Sequence, residues 1–259
     1  MKRPLVLLDA LLVDRRPTGV GRSILELTGE LAGTDRGLDF AVAVTEPDMF
    51  GHLAAAPGWR IVPCPEARGG NVRKAWYTQT GLPALRRRLE ADLLHSLQFV
   101  APLRPGCPSV VTVHDLAWQL HPETVEQPRR GYYRLFVPPS LRRAAAVVCN
   151  SAATATDVAR LHPAVGPRVV TTPFGTPNWV WRASEDVPPV REPRFLFVGT
   201  LEPRKNLERL LDAYALARGR AGAGFPGLLL VGGKGWRDSG LRRRMEDLSA
   251  AGHLEVRDY

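Results

Sequence analysis

The amino-acid sequence predicts an α/β protein with two successive domains, the first whole and the second only begun. Two observations carry this. Short Val- and Leu-rich runs alternate with helical patterns almost from end to end, which is the order of parallel βα units. That rhythm stops in a proline-rich stretch of mixed charge, 176–193, and starts again at Phe195. The expected division is therefore a first domain at 1–178, a linker at 179–193 and part of a second domain at 194–259.

In the first domain, strands are expected at 4–8, 40–44, 60–63, 92–95, 109–113, 146–149 and 168–172. Each is short and apolar, as a strand covered on both faces is. Helices are expected near 20–31, 84–89, 131–144 and 152–161, with Ser151 placed to cap the last. In the second domain, strand 195–199 leads to helix 206–218, strand 227–232, helix 240–250 and a strand from about Leu254. Leu207, Leu210, Leu211 and Tyr214 follow the i, i+3, i+4, i+7 rule and are expected to face the new sheet.

The chain has 259 residues, 44% of them hydrophobic and 24% charged, which is the balance of a soluble globular protein with room for two modest domains. Lys plus Arg exceeds Asp plus Glu by nine, 35 against 26. The arginines form short clusters at 86–88, 142–143 and 242–244, which read either as solvated helix faces or as contacts to acidic lipid headgroups at a membrane periphery. No basic run is interleaved with aromatic residues, so nucleic acid is not an expected partner. Cys64, Cys107 and Cys149 are odd in number and form no CxxC pair, which argues against a disulfide framework or a zinc site and for a reducing, cytoplasmic setting. The opening MKRPLVLLDALLV has the look of a signal peptide, but Asp9 interrupts it and no small-residue cleavage site follows, so it reads as a buried first strand. Nowhere do eighteen apolar residues run together.

Three places carry candidate chemistry. Arg204, Lys205 and Asn206 lie in the turn between a strand that ends at Gly199-Thr200 and a helix, where free N–H groups and the helix dipole already favour an anion. Two adjacent cations there suit a diphosphate; the bland reading is an exposed loop. Thr18-Gly19-Val20-Gly21-Arg22 forms a glycine-rich lead into a helix, where backbone can approach a ligand. It lacks the third glycine of a dinucleotide fingerprint. His114 follows the apolar strand 109–113 and so stands at the carboxyl edge of an open sheet, where it can donate to a sugar hydroxyl or steady developing charge; a structural histidine is the alternative. His95 also ends a strand and reads as structural, and Glu123, Glu126 and Asp157 show no pairing that would make a carboxylate dyad.

Taken together, these segments resemble the retaining glycosyltransferases of family 4, the group that includes bacterial mannosyltransferases and has the GT-B fold of two Rossmann-like domains. The resemblance rests on Thr18-Gly19-Val20-Gly21-Arg22, Thr112-Val113-His114-Asp115-Leu116 with His121-Pro122-Glu123, Val148-Cys149-Asn150-Ser151, Pro173-Phe174-Gly175, and the run from Phe197 through Gly199, Thr200, Arg204 and Lys205 to Asn206. It implies that a hexose, mannose first, passes from a nucleotide-sugar (GDP-mannose or a UDP-sugar) to a glycan or lipid-linked acceptor. His114 would touch the transferred sugar, and Arg204 and Lys205 would neutralise the diphosphate, with the backbone of Gly19 and Gly21 approaching it. Val20, Asn150, Ser151, Gly175, Gly199, Thr200 and Asn206 would line the site. No metal or other cofactor is implied, because cations and helix ends stabilise the leaving group.

Two departures bear on the expectation. Many relatives have Arg after the strand glycine where this chain has Thr200, and the paired glutamates of an E-x7-E segment fall beyond Tyr259. The chain is therefore expected to be C-terminally truncated and impaired as a transferase, with an apolar sheet surface left open. The rival readings are a non-catalytic remnant that binds a partner, and an NAD-dependent oxidoreductase, which the missing G-x-G-x-x-G argues against.

Overall fold

The strand β1 (Leu5–Asp9) is buried along its whole length. Its side chains alternate between two faces, and both faces are covered. Leu5 and Leu7 join one apolar cluster with Leu82 and Leu85, whereas Val6 and Leu8 join another with Ile24, Phe50 and Leu53. Burial of one such leucine stabilises by about 1.5–3 kcal/mol, so this strand anchors both halves of the core. In the computed structural model, residues 2–17, 19–34, 37–177, 180, 193–202, 205–222, 224–233 and 239–258 are described.

The chain divides into two compact units, Met1–Pro122 with Gln127–Asn178, and Glu123–Glu126 with Trp179–Tyr259. The first holds a seven-stranded, all-parallel sheet. Its strands are β1, β2 (Asp39–Val44), β3 (Trp59–Pro63), β4 (Leu93–Ser96), β5 (Ser109–Val113), β6 (Ala146–Cys149) and β7 (Val169–Thr171), in the order β3-β2-β1-β4-β5-β6-β7. The helices are α1 (Gly19–Ala32), α2 (Asn71–Leu89), the four-residue α3 (Ala117–Leu120), α4 (Arg129–Arg143) and α5 (Ala152–Leu161).

Each expected strand is present, but α2 is far longer than the expected 84–89. A proline ring ordinarily breaks a helix. Here Pro83 is buried in the helix interior, and Gly81 leaves room for the Tyr77 ring, which a Cβ at that position would meet at 2.4 Å. The helix α5 starts as expected: Ser151 Oγ accepts from the Thr154 amide at 3.1 Å and donates to Thr154 Oγ1 at 2.9 Å.

The second unit holds three parallel strands, β8 (Arg194–Val198), β9 (Gly227–Val231) and β10 (Leu254–Arg257), in the order β10-β9-β8, with α6 (Leu207–Ala221) and α7 (Ser239–Ala250). Leu207, Leu211 and Tyr214 are buried with Leu228, Leu230, Leu241 and Leu254. Leu210 is the correction to the expected face, being exposed. At about 100° per residue it lies about 60° from Leu207 on the side away from Leu211. On the other sheet face Leu196 and Val198 are exposed. The expected linker, 179–193, falls outside the described residues except for 180 and 193.

Candidate functional site

In the first sheet the chain runs outward from β1 through β2 to β3, then returns to the other side of β1 at β4. The carboxyl ends of β1 and β4 therefore flank a switch point, where open α/β sheets bind ligands. Asp9, the last residue of β1, is completely buried there. Its carboxylate accepts from the Leu11 amide at 3.2 Å and from Gln98 Nε2 at 3.0 Å. Burial pushes its pKa up to about 6, against the opposing pull of the Gln98 and Leu11 hydrogen bonds, the Lys74 charge and the nearby Ser96 hydroxyl. The segment after β1 is tied down by Thr45 Oγ1, which donates to the carbonyls of Leu11 and Val13, and by a 2.8 Å ion pair between Lys74 and Asp14. Sequence reading treated Asp9 only as an interruption in an apolar run; a carboxylate closing a βα strand was the signal it passed over.

His114 stands one residue beyond β5 and is buried. Its Nε2 lies 3.0 Å from the Leu97 carbonyl, which can only accept, so Nε2 carries the proton. Burial lowers the pKa of the ring, although the Leu97 bond and Asp115 oppose the shift, and the neutral tautomer leaves a lone pair on Nδ1. That nitrogen is shielded and has no hydrogen-bond partner. The ring is flanked by Phe99, at 5.6 Å between centroids, and by the exposed Phe174, at 6.1 Å. With Nε2 turned to the Leu97 carbonyl, Nδ1 is the nitrogen that can accept a hydrogen bond.

Among the described residues, the buried side-chain polar atoms without a hydrogen-bond partner are His114 Nδ1, Trp118 Nε1 and Ser96 Oγ, the last of which makes no bond of good geometry although it lies near enough to Asp9 to favour its carboxylate. Ser96 ends β4, His114 follows β5, and Trp118 lies in α3 directly after it. An unsatisfied buried group costs about 1–3 kcal/mol, and these three lie at or just past the carboxyl ends of β4 and β5. His95 is different. Its Nε2 is 2.9 Å from Thr112 Oγ1 and burial drives its pKa down to about 4, so it is a neutral, satisfied structural group.

The remaining expected residues differ in what they can offer. Gly19, Val20 and Gly21 form the first turn of α1 and not a loop before it, and Thr18 lies outside the described residues. Gly19 opens onto free space, while a Cβ at Gly21 would come within 3.0 Å of Pro17, so Gly21 is needed for packing. Ser151 spends its hydroxyl on the α5 cap; Asn150 is half-buried beside it, and Gly175 is exposed.

In the second unit, Arg204 lies outside the described residues. Lys205 is exposed at the start of α6, and its amide donates to the Glu202 carbonyl at 3.0 Å, folding the turn. Asn206 takes the left-handed conformation, with φ of 53°. Gly199 has φ of 150°, and Lys205 Cε passes 3.7 Å from where its Cβ would be, so the lysine stem lies over the strand end. Thr200 is half-buried, and its carbonyl accepts from the Glu202 amide at 2.9 Å. A cation thus stands just before the amino end of α6, where the helix dipole favours an anion. No cluster of three His, Cys, Asp or Glu side chains that could hold a metal occurs among the described residues.

Residues 17–177 match the family described as Glycosyltransferase Family 4. The O-antigen chain mannosyltransferase B of Escherichia coli is 28% identical over 159 residues, which is 58% of this chain and 42% of that protein, so the chain spans less than half the length of that curated relative. Among solved structures, HepE of Anabaena in complex with UDP and glucose superposes with a TM-score of 0.61 at 16% identity, over 99% of this chain and 69% of HepE. A glycosyltransferase of Rickettsia africae gives 0.56 at 15% identity, over 100% and 69%. At such identities the structures establish the fold, which is GT-B.

Proposed function

The chain belongs to Glycosyltransferase Family 4, and from that premise we propose that it binds a nucleotide-sugar and serves transfer of a hexose, mannose first, to a glycan or lipid-linked acceptor with retention of configuration. The observation that carries the reading is His114, a neutral imidazole at a sheet's carboxyl edge with one nitrogen fixed on Leu97 and the other unpartnered. Such a nitrogen accepts from a hydroxyl of the transferred sugar once its covering is displaced; Phe174, exposed on an irregular segment, is the neighbour able to give way. The E. coli relative supports mannose, and the UDP and glucose bound in HepE keep a UDP-sugar as the alternative to GDP-mannose.

In this reading Lys205, with Arg204, neutralises the diphosphate, and the dipole of α6 adds to it. These groups do the work a metal ion would otherwise do at the leaving group. The acceptor attacks from the face the leaving group vacates, and a phosphate oxygen takes its proton. Three free thiols fit a reducing, cytoplasmic setting.

Titration calorimetry with GDP-mannose and with UDP-glucose tests the proposal. A charged hydrogen bond contributes about 1.5–3 kcal/mol, so Lys205→Ala is expected to weaken binding by about 10- to 100-fold. Affinity for neither nucleotide-sugar, or affinity indifferent to Lys205, contradicts it.

A further inference from the structure

The basic excess of this chain has an address. The helices α2 and α4 together carry ten of its 35 cations and none of its 26 acids. Since the whole chain is nine charges positive, everything outside these two helices is one charge negative. In sequence the ten cations are spread over some seventy positions, where solvated faces and contacts to acidic headgroups read alike. The fold brings them together.

The two helices are neighbours on one face of the first sheet. Leu82 and Leu85 place α2 against the face opposite α1, and a right-handed crossover from β5 to β6 places α4 on that same side. Gln79 of α2 and Ser140 of α4 both hold Ala101 by hydrogen bonds, and Tyr132 of α4 lies beside Gln79. Of the ten cations, Arg73, Arg87, Arg88, Arg129, Arg134, Arg142 and Arg143 are exposed. None of these seven makes an ion pair among the described residues. The same surface exposes large apolar side chains, Val72 at 76%, Trp76 at 63% and Leu135 at 67%. On α2 the exposed positions Arg73, Trp76, Thr80, Ala84 and Arg87 recur at helical spacing along one stripe.

We propose that this face docks on an anionic lipid bilayer, with the arginines against acidic headgroups and Trp76, Val72 and Leu135 at the level of the acyl boundary. A polyanion in water, such as nucleic acid, would use the charge but gives no reason to expose an indole and two aliphatic side chains. A bilayer surface uses both, because an interfacial helix combines cations with a Trp- and Leu-bearing face. No helix among the described residues is long and apolar enough to cross a membrane, so the contact is a surface one. It stands independently of the nucleotide-sugar reading, since it uses no residue assigned to that site.

The test is co-sedimentation of the full chain with vesicles of phosphatidylcholine and phosphatidylglycerol, against vesicles of phosphatidylcholine alone, at low and high salt. Binding is expected only to the anionic vesicles and is expected to weaken with salt. Removal of one surface arginine lowers the partition coefficient by about fivefold, so Arg73→Gln with Arg134→Gln is expected to reduce it by more than tenfold. Trp76→Ser is expected to weaken binding at both salt concentrations, since its contribution is apolar. Arg209→Gln with Arg243→Gln, on the second unit, is expected to change nothing. All of these side chains are exposed, so the variants retain the fold, which circular dichroism checks. Equal binding to neutral vesicles, no binding to anionic ones, indifference to Trp76, or tighter binding to duplex RNA than to vesicles would overturn the proposal.

Discussion

Gly232→Ala is expected to abolish the native second unit while leaving the first one folded. Gly232 directly follows β9, and a Cβ built on it would lie 1.9 Å from the Gly199 carbonyl oxygen and 2.6 Å from the carbonyl carbon. The obstacle is backbone, so no side-chain rotation relieves it. The backbone cannot easily move either, because Gly199 donates to the Val231 carbonyl at 2.9 Å, Gly232 donates to the Arg257 carbonyl at 2.9 Å, and Leu201 donates to the Gly233 carbonyl at 3.1 Å. These bonds continue all three strands of the small sheet past their ends. Overpacking a core costs about 1–3 kcal/mol when side chains can adjust; here the cost is expected above about 3 kcal/mol, a large share of the stability of a small domain. Limited proteolysis and thermal melting check it, with loss of the fragment from 194 onward and retention of that before 178. Gly175→Ala, which meets open space, is the control. An unchanged melting profile for Gly232→Ala contradicts the placement of β8 against β9.

Asp9→Asn is expected to stabilise the protein at neutral pH. The unfolded chain releases the Asp9 proton near 3.8, the native one near 6. Between those values the native state holds more protons than the unfolded state, so stability falls as pH rises through the window and is flat above it. The full difference amounts to about 3 kcal/mol lost by pH 7. Asparagine keeps an acceptor for the Leu11 amide or Gln98 and carries no charge to desolvate. Urea unfolding from pH 4.5 to 7.5 is expected to show the wild type losing stability relative to Asp9→Asn, which gains about 1–3 kcal/mol at the upper end. Parallel profiles, or a variant weaker at pH 7.5, contradict the assignment of Asp9 as a poorly solvated carboxylate.

Much of the fold was legible because parallel strands announce themselves as short apolar runs, and each expected run became a strand. Helix α2 was misjudged at its start because Pro83 and Gly81 are breakers by local rule, and only packing against Leu5 and Leu7 and over Tyr77 makes them tolerable. Leu210 was misassigned because the spacing rule covers a wider arc than the small sheet can bury. For the candidate site, sequence singled out His114 and Lys205, but not which nitrogen of His114 carries the proton. The proton on Nε2 of His114 depends on a carbonyl seventeen residues away at Leu97, which no local pattern encodes. Asp9, Ser96 and Trp118 were passed over because each has an ordinary neighbourhood in sequence and becomes unusual only when strand order gathers the three near one edge. The same holds for the arginines of α2 and α4, whose adjacency is a property of the crossovers.

The central claim is that the free nitrogen of His114 reads the sugar of a nucleotide-sugar. The most direct measurement is the 15N NMR signal of His114 Nδ1 in histidine-labelled protein at pH 7.5, assigned by comparison with His114→Gln. A neutral tautomer with an unprotonated, unpaired Nδ1 is expected for the free protein. Saturating GDP-mannose or UDP-glucose is expected to move that signal in the direction of an accepted hydrogen bond, while the nucleoside diphosphate alone leaves it in place. A signal indifferent to the sugar, or a proton already resident on Nδ1, contradicts the account.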